Sequence, residues 1–273
     1  MLSLGLDVSS NGRSVALAIP NGQSGTFDIW LYDRDRDLQT RLTFGPESEF
    51  PPVFSPDDAW IAYTSDTAGP ANLYRKPVKG GGKAELLLDG PNDTYPTGYS
   101  PDGRLLAFTE VDSTGRINVG ILDVEEGELV RRFEDEAFNH SFCTFSPDGN
   151  WVAYVSNETG SQEVFAESLV EGRGRWRVSS NSGLYPRWAA DGNALYYSTP
   201  DGSLLATEVT IHDDGLAFGE TREITTGLVI TNAISYDEDP ATGDLIVQKT
   251  AQSRFNSTLY LITGWPQLLE NVN

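Results

Sequence analysis

The chain has 273 residues, 38% of them hydrophobic, enough apolar material to build a core and to exclude a disordered chain. Nineteen basic residues face forty acidic ones, and the net charge of −21 repels phosphate backbones and anionic lipid heads, so nucleic acid is excluded as a partner. Cys143 is the only cysteine, which excludes an intrachain disulfide and a thiolate metal cluster, and no apolar run approaches the roughly 18 residues of a membrane span.

In chain order, the opening MLSLGLDVSSNGRSV lacks a basic start before its short apolar run and makes a poor export signal. The chain therefore reads as unexported and free of membrane insertion, or as a domain excised from a longer protein whose leader lies upstream. Unit one starts near residue 4, turns at Ser10-Asn11-Gly12, and continues with strands over 15–19, 28–33 and 40–44. Unit two has strands from 52, then 61–65, 72–77 and 84–88; Gly80-Gly81-Gly82 is a flexible turn, because a phosphate loop would need a following helix. Unit three places strands at 97–99, 105–110, 117–123 and 128–133, and unit four at 142–145, 151–156, 163–168 and 176–179. Unit five has 186–188, 194–198, 204–209 and 222–225, with an outer loop lengthened by His212-Asp213-Asp214-Gly215. Unit six has 232–236, 245–248 and 258–263, followed by a tail over 265–273.

One pattern organises these units. In FCTFSPDGNWVAYVSNE, from Phe142 to Glu158, an apolar run ends at Phe145, Ser146 to Gly149 turn the chain, and Trp151 to Val155 alternate as a half-buried strand should. Pro147 presets φ, Asp148 bonds nearby backbone donors, and Gly149 accepts positive φ. The hairpin recurs at Ser55-Pro56-Asp57-Asp58, Ser100-Pro101-Asp102-Gly103 and Ala190-Asp191-Gly192, with steps of 45 and 46 residues from Ser55 to Ser100 to Ser146. Short strands with this period predict one all-β domain over 1–273, a six-bladed β-propeller of four-stranded antiparallel blades, or seven blades if an upstream segment is missing. Phe54, Tyr99, Phe145 and Trp188 precede the turns and are expected to pack between blades, with Cys143 as a small buried hydrophobe.

FSPDD at Phe54, YSPDG at Tyr99 and FSPDG at Phe145, each leading into an (I/L/V)A(Y/F) strand, resemble the WD40-like repeats of TolB-type β-propellers. DIWLYDRDRDLQTRLTF, from Asp28 to Phe44, looks like the outer half of such a blade, and LYLITGW, from Leu259 to Trp265, is similar to propeller sensor domains behind bacterial serine/threonine kinases. The resemblance implies a sensory or assembly role with interaction partners, in a bacterial protein, periplasmic or extracellular if the chain is an excised domain. Asp58 in place of glycine, AADG in unit five and the Asp239-to-Gly243 turn of unit six depart from the pattern.

No nucleophile elbow, zincin or Walker signature is present, and His140 and His212, in different units, cannot make a histidine-rich metal site. The repeated aspartates Asp57, Asp102, Asp148 and Asp191 are expected to serve their own turns. Function then falls to the links entering each inner strand, at the channel mouth: Glu49, Phe50, Tyr95, Asn139, His140, Tyr185 and Asn232 are the candidate ligand-binding residues. Aromatic rings there suit a protein, peptide or small glycan, bound by a monomer without catalysis or cofactor. The alternative is a metal-dependent hydrolase or lyase holding a calcium-like divalent cation through Glu49, Asp93, Asn139 and Asn232. The N-x-S/T triplets at Asn92, Asn139, Asn157 and Asn256 would be glycan acceptors only in a eukaryotic secretory setting.

Overall fold

The computed structural model describes residues 5–22, 24–67, 69–79, 81–133, 135–170, 173–212, 215–228, 234–250 and 257–263. These residues form six antiparallel sheets and no helix. Blade one holds β1 (Leu6–Val8), β2 (Ser14–Pro20), β3 (Phe27–Asp33) and β4 (Leu38–Arg41); blade two holds β5 (Glu49–Phe54), β6 (Trp60–Ser65), β7 (Asn72–Pro77) and β8 (Glu85–Leu88). Blade three holds β9 (Asp93–Tyr99), β10 (Leu105–Val111), β11 (Ile117–Asp123) and β12 (Glu128–Phe133). Blade four holds β13 (His140–Phe145), β14 (Trp151–Ser156), β15 (Glu163–Ser168) and β16 (Arg175–Arg177). Blade five holds β17 (Leu184–Trp188), β18 (Ala194–Ser198), β19 (Leu204–His212) and β20 (Gly215–Thr225), and the sixth sheet has three described strands, β21 (Tyr236–Glu238), β22 (Leu245–Thr250) and β23 (Ser257–Ile262).

Six apolar cores hold the ring together, one between each pair of neighbouring blades. Ala107, Ile121 and Phe145 pack with Val152 and Tyr154 between blades three and four, while Trp151, Val164, Trp188 and Tyr197 fill the next interface. The ring closes where Leu6, Val8, Val15 and Leu17 of blade one pack on Ile246 of blade six. Closure is fastened in polar terms too, since the Val8 amide donates to Asp237 Oδ2 at 2.8 Å. Each four-stranded sheet thereby buries both faces while its outer strand faces water, which is how a propeller avoids long free edges.

The repeated turn is built as its sequence demands. Ser55, Ser100 and Ser146 each donate to the aspartate two residues on at 2.5 Å, and the same hydroxyls accept the amides of Trp60, Leu105 and Trp151 at 2.9–3.0 Å. Asp57, Asp102 and Asp148 also accept from Ala59, Arg104 and Asn150, so their carboxylates serve the turn and do not converge in a ring. Asp58 takes the left-handed conformation that Gly103 and Gly149 take in the sister turns. Its carboxylate offsets the strain by accepting from the Ser10 and Asn11 amides of blade one, at 2.7 and 3.2 Å.

The structure corrects three expectations. The inner strands begin at Glu49, Asp93, His140 and Leu184, earlier than the sequence suggested, because the ladder resumes beyond the bulge in each of them, and in blades two and five the prolines lie at the bulge, where no ladder amide is lost. The outermost strand of blade one is β4 at Leu38–Arg41, not 40–44. In blade five the expected long loop is a ladder: β19 and β20 pair out to His212 and Gly215, and Val209, Leu216 and Phe218 on this extension cover Trp151 and Trp176 of blade four. Asp213 and Asp214 lie outside the described residues, as does the tail over 265–273.

Candidate binding site at the channel mouth

Every inner strand of blades two to five carries a bulge at the same distance from its turn. The interruptions fall between Phe50 and Val53, opposite Thr97, between Ser141 and Thr144, and between Leu184 and Arg187. A bulge re-aims the side chains beside it. Here it forces Phe142 and Tyr185 to φ of 54° each, and the Thr109 hydroxyl holds the first by accepting the Phe142 amide at 3.0 Å. The consequence is a two-tiered rim: Phe50, Tyr95, Ser141 and Leu184 above Pro51, Pro96, Phe142 and Tyr185, one pair from each of four blades.

This rim opens on a cavity of about 760 Å³. Phe50 and Tyr95 lie 6.0 Å apart between ring centroids, and Phe142 meets Tyr185 edge-on at 4.4 Å. Blade one contributes glycine at the matching level: a Cβ on Gly5 would come within 2.7 Å of Pro51. Ile234 adds to the wall, and among the described residues no charged side chain lines the cavity, in a chain whose net charge is −21. Burial pushes the Tyr185 hydroxyl up to about 12, so it stays protonated at neutral pH.

Of the residues expected at the mouth, Phe50, Tyr95 and Tyr185 line this cavity together. Asn232 lies outside the described residues. Glu49 is buried, accepts from the Thr43 hydroxyl at 3.2 Å, and has its carboxyl pushed up to about 7 by burial. Asn139 ties blade three to blade four, its Oδ1 accepting the Ile117 amide at 3.1 Å, and Asp93 does the same one blade earlier by accepting the Ala71 amide at 2.8 Å. His140 is buried edge-on against Tyr154 in the interface of blades three and four, where burial lowers its basicity. Counting back four residues from the aromatic before each turn reaches Phe50, Tyr95, Ser141 and Leu184. That constant offset was available in the sequence and finds Ser141-Phe142 where motif inspection alone favours Asn139-His140.

Deeper in the channel the structure shows a polar hub that sequence inspection missed. Arg187, from blade five, donates to Asp7 Oδ1 of blade one at 3.0 Å and to the Thr97 carbonyl of blade three at 3.1 Å, with Asp237 of blade six 3.9 Å from its Nε. Asp7 also accepts the Phe54 amide at 2.7 Å, which brings blade two into the network. Burial raises the pKa of both Asp7 and Asp237 against the pull of Arg187, and at Asp7 repulsion from Asp237 adds to the rise. These residues occupy one equivalent position, immediately before the residue that precedes each turn. Among the described residues no group of three histidine, cysteine, aspartate or glutamate side chains is placed to hold a metal ion.

No protein-family profile matches the chain. It is 28% identical over 153 residues to an uncharacterised protein of Agrobacterium fabrum and 27% identical over 167 residues, 60% of its length, to the Tol-Pal system protein TolB of Helicobacter pylori. The chain spans 52% and 38% of those two relatives' lengths. Among solved structures it superposes on TolB from Acinetobacter baumannii with a TM-score of 0.73 at 16% identity, covering 93% of this chain and 61% of that one. A manganese complex of oligogalacturonate lyase gives 0.60 at 13% identity, covering 94% and 87%, and at that identity the likeness is one of fold alone. The repeated turn and the ring of six blades make the chain a six-bladed β-propeller, similar in sequence and fold to the propellers of TolB proteins.

Proposed function

We propose that the chain is a binding propeller whose channel mouth holds an uncharged, apolar segment of a protein partner. The observation that carries this reading is a rim of rings and prolines around a cavity of about 760 Å³, without a charged side chain among the described residues, in a strongly acidic molecule. Burying such a segment gains from apolar contact without forcing a carboxylate out of water. The likeness to a Tol-Pal system protein supports a role in protein assembly, and with it a place outside the cytoplasm of a bacterium. A glycan finds fewer partners here, because the hydroxyls of Thr97 and Thr109 are already engaged with Cys143 and Phe142. The metal-hydrolase alternative is less favoured, since Asp93 and Asn139 each already accept a backbone amide that ties neighbouring blades.

Screening uncharged aromatic and proline-containing peptides against oligosaccharides by calorimetry tests the proposal. Binding of a peptide should weaken at least tenfold in Tyr95→Ala, whose ring is only partly buried, while the melting midpoint stays close to wild type. Exposed Gln162 lines the rim, and Gln162→Glu should weaken binding by placing a charge there without disturbing the fold. A melting midpoint raised by calcium and restored by Glu49→Ala would contradict the proposal in favour of the metal site.

A further inference from the structure

We infer a second binding site, for a lysine or arginine side chain of a partner protein, in the cleft between the repeated turns of blades two and three. The cleft lies at the other end of the inner strands from the mouth and encloses about 460 Å³. Its walls are the turns at Ser55 and Ser100 together with Trp60, Arg75, Tyr99 and Glu125.

Two residues set it apart from the equivalent places in the ring. Tyr99 carries a hydroxyl at the position before the turn, where Phe54, Phe145 and Trp188 stand in blades two, four and five. Its oxygen is buried without a hydrogen-bond partner, and Arg75 and Asp57 of the cleft are the charges that act on it. An unpaired buried hydroxyl costs stability, and a phenol oxygen can accept from a cation. Arg75, opposite Ala62 on the neighbouring strand, is a charge at a position held by Leu31, Ile121, Ala166 and Ala206 in blades one, three, four and five. Its guanidinium lies 4.4 Å over the Trp60 ring, so this seat already accommodates a cation of the chain's own.

The open charges of the cleft are its carboxylates. Arg75 Nε pairs with Glu85 at 2.8 Å and Arg104 Nε with Asp123 at 2.7 Å, two acids that do not line the cleft. Asp57 and Asp102, both exposed, spend Oδ1 on their turns, and those bonds hold them below the usual carboxylate range. In blades four and five the second oxygen of the matching aspartate accepts from Asn150 or Asn193. Ala59 and Arg104 stand at those positions in blades two and three, and Oδ2 of Asp57 and Asp102 is left open among the described residues. Glu125, exposed beside them, has no cation within ion-pair distance among the described residues. A cationic side chain therefore meets three carboxylates, an aromatic ring and a phenol oxygen, in a molecule whose net charge of −21 draws it in. An anionic one meets repulsion from the same groups.

The probe is a fluorescent peptide of glycine and serine with two lysines at its centre, and the control peptide has norleucine in their place. At 150 mM salt the wild type should bind the lysine peptide at least tenfold more tightly than the control. Tyr99→Phe keeps the charge of the molecule and removes an unpartnered hydroxyl, so affinity should fall at least fivefold while the melting midpoint does not fall. Arg75→Leu, which installs the residue of blade one, removes the competing cation and should tighten binding at least threefold, and Glu125→Gln at the exposed edge should weaken it at least twofold. Undiminished binding by Tyr99→Phe, weaker binding by Arg75→Leu, or no preference of the folded wild type for lysine over norleucine would each overturn the inference.

Discussion

At the scale of single residues, the hub decides how the fold responds to pH. Burial pushes the carboxyls of Glu49 and Glu238 up to about 7 and raises Asp7 and Asp237, with repulsion from Asp237 adding to the rise at Asp7. Each group holds a proton in the folded state that the unfolded chain, with carboxyls near about 4, would release, so stability falls as pH rises from that range through neutrality. His140 acts in the opposite sense, because its lowered pKa makes the folded state release a proton that the unfolded chain keeps below about 6.5. Asp57, Asp102 and Asp148 lie below the ordinary range through their turn hydrogen bonds, and their contribution is lost only in stronger acid. Four raised carboxyls against one imidazole predict that the urea midpoint declines between pH 5 and 8.5, and that Asp7→Asn flattens the decline; a midpoint rising across that range would refute it. Arg187→Met leaves Asp7 and Asp237 buried without their cation and should cost about 3–5 kcal/mol in urea unfolding.

At the scale of strands and turns, neighbouring side chains fix what each position tolerates. Phe108 is fully buried because Gly120, on the adjacent strand, leaves its ring a place: a Cβ there would lie 2.2 Å from the ring. Gly120→Ala should therefore cost about 1–3 kcal/mol, and adding Phe108→Leu should recover part of the loss in the same unfolding assay. Phe145→Ala, which opens a hole between blades three and four, should cost about 3–5 kcal/mol. The hairpins, their turns and the aromatics between blades were legible in the sequence because Ser-Pro-Asp-Gly and period-two alternation are local signals. The bulges were less so, since a skipped pairing shows only once the partner strand is in place beside Pro51, Thr97, Phe142 and Pro186. Arg187 could not be read at all as a hub residue, because its partners Asp7, Thr97 and Asp237 are brought to it only by closing the ring. LYLITGW, which carried the likeness to kinase-linked propellers, ends in residues outside the described part of the chain.

At the scale of the whole molecule, the ring separates charge from apolar surface. Acidic residues dominate the composition, while among the described residues the channel mouth is lined without charge. A partner segment bound in the mouth is held by apolar contact, whereas loose association with an acidic protein is electrostatic and weakens with salt. The most direct measurement of the central claim is the affinity of an uncharged aromatic peptide across 50 to 500 mM salt, for wild type and for the double variant Tyr95→Ala, Phe142→Ala. The mouth proposed here predicts an affinity that salt changes less than twofold and that the double variant reduces at least tenfold; a steep fall with salt, or full binding by the variant, would contradict it.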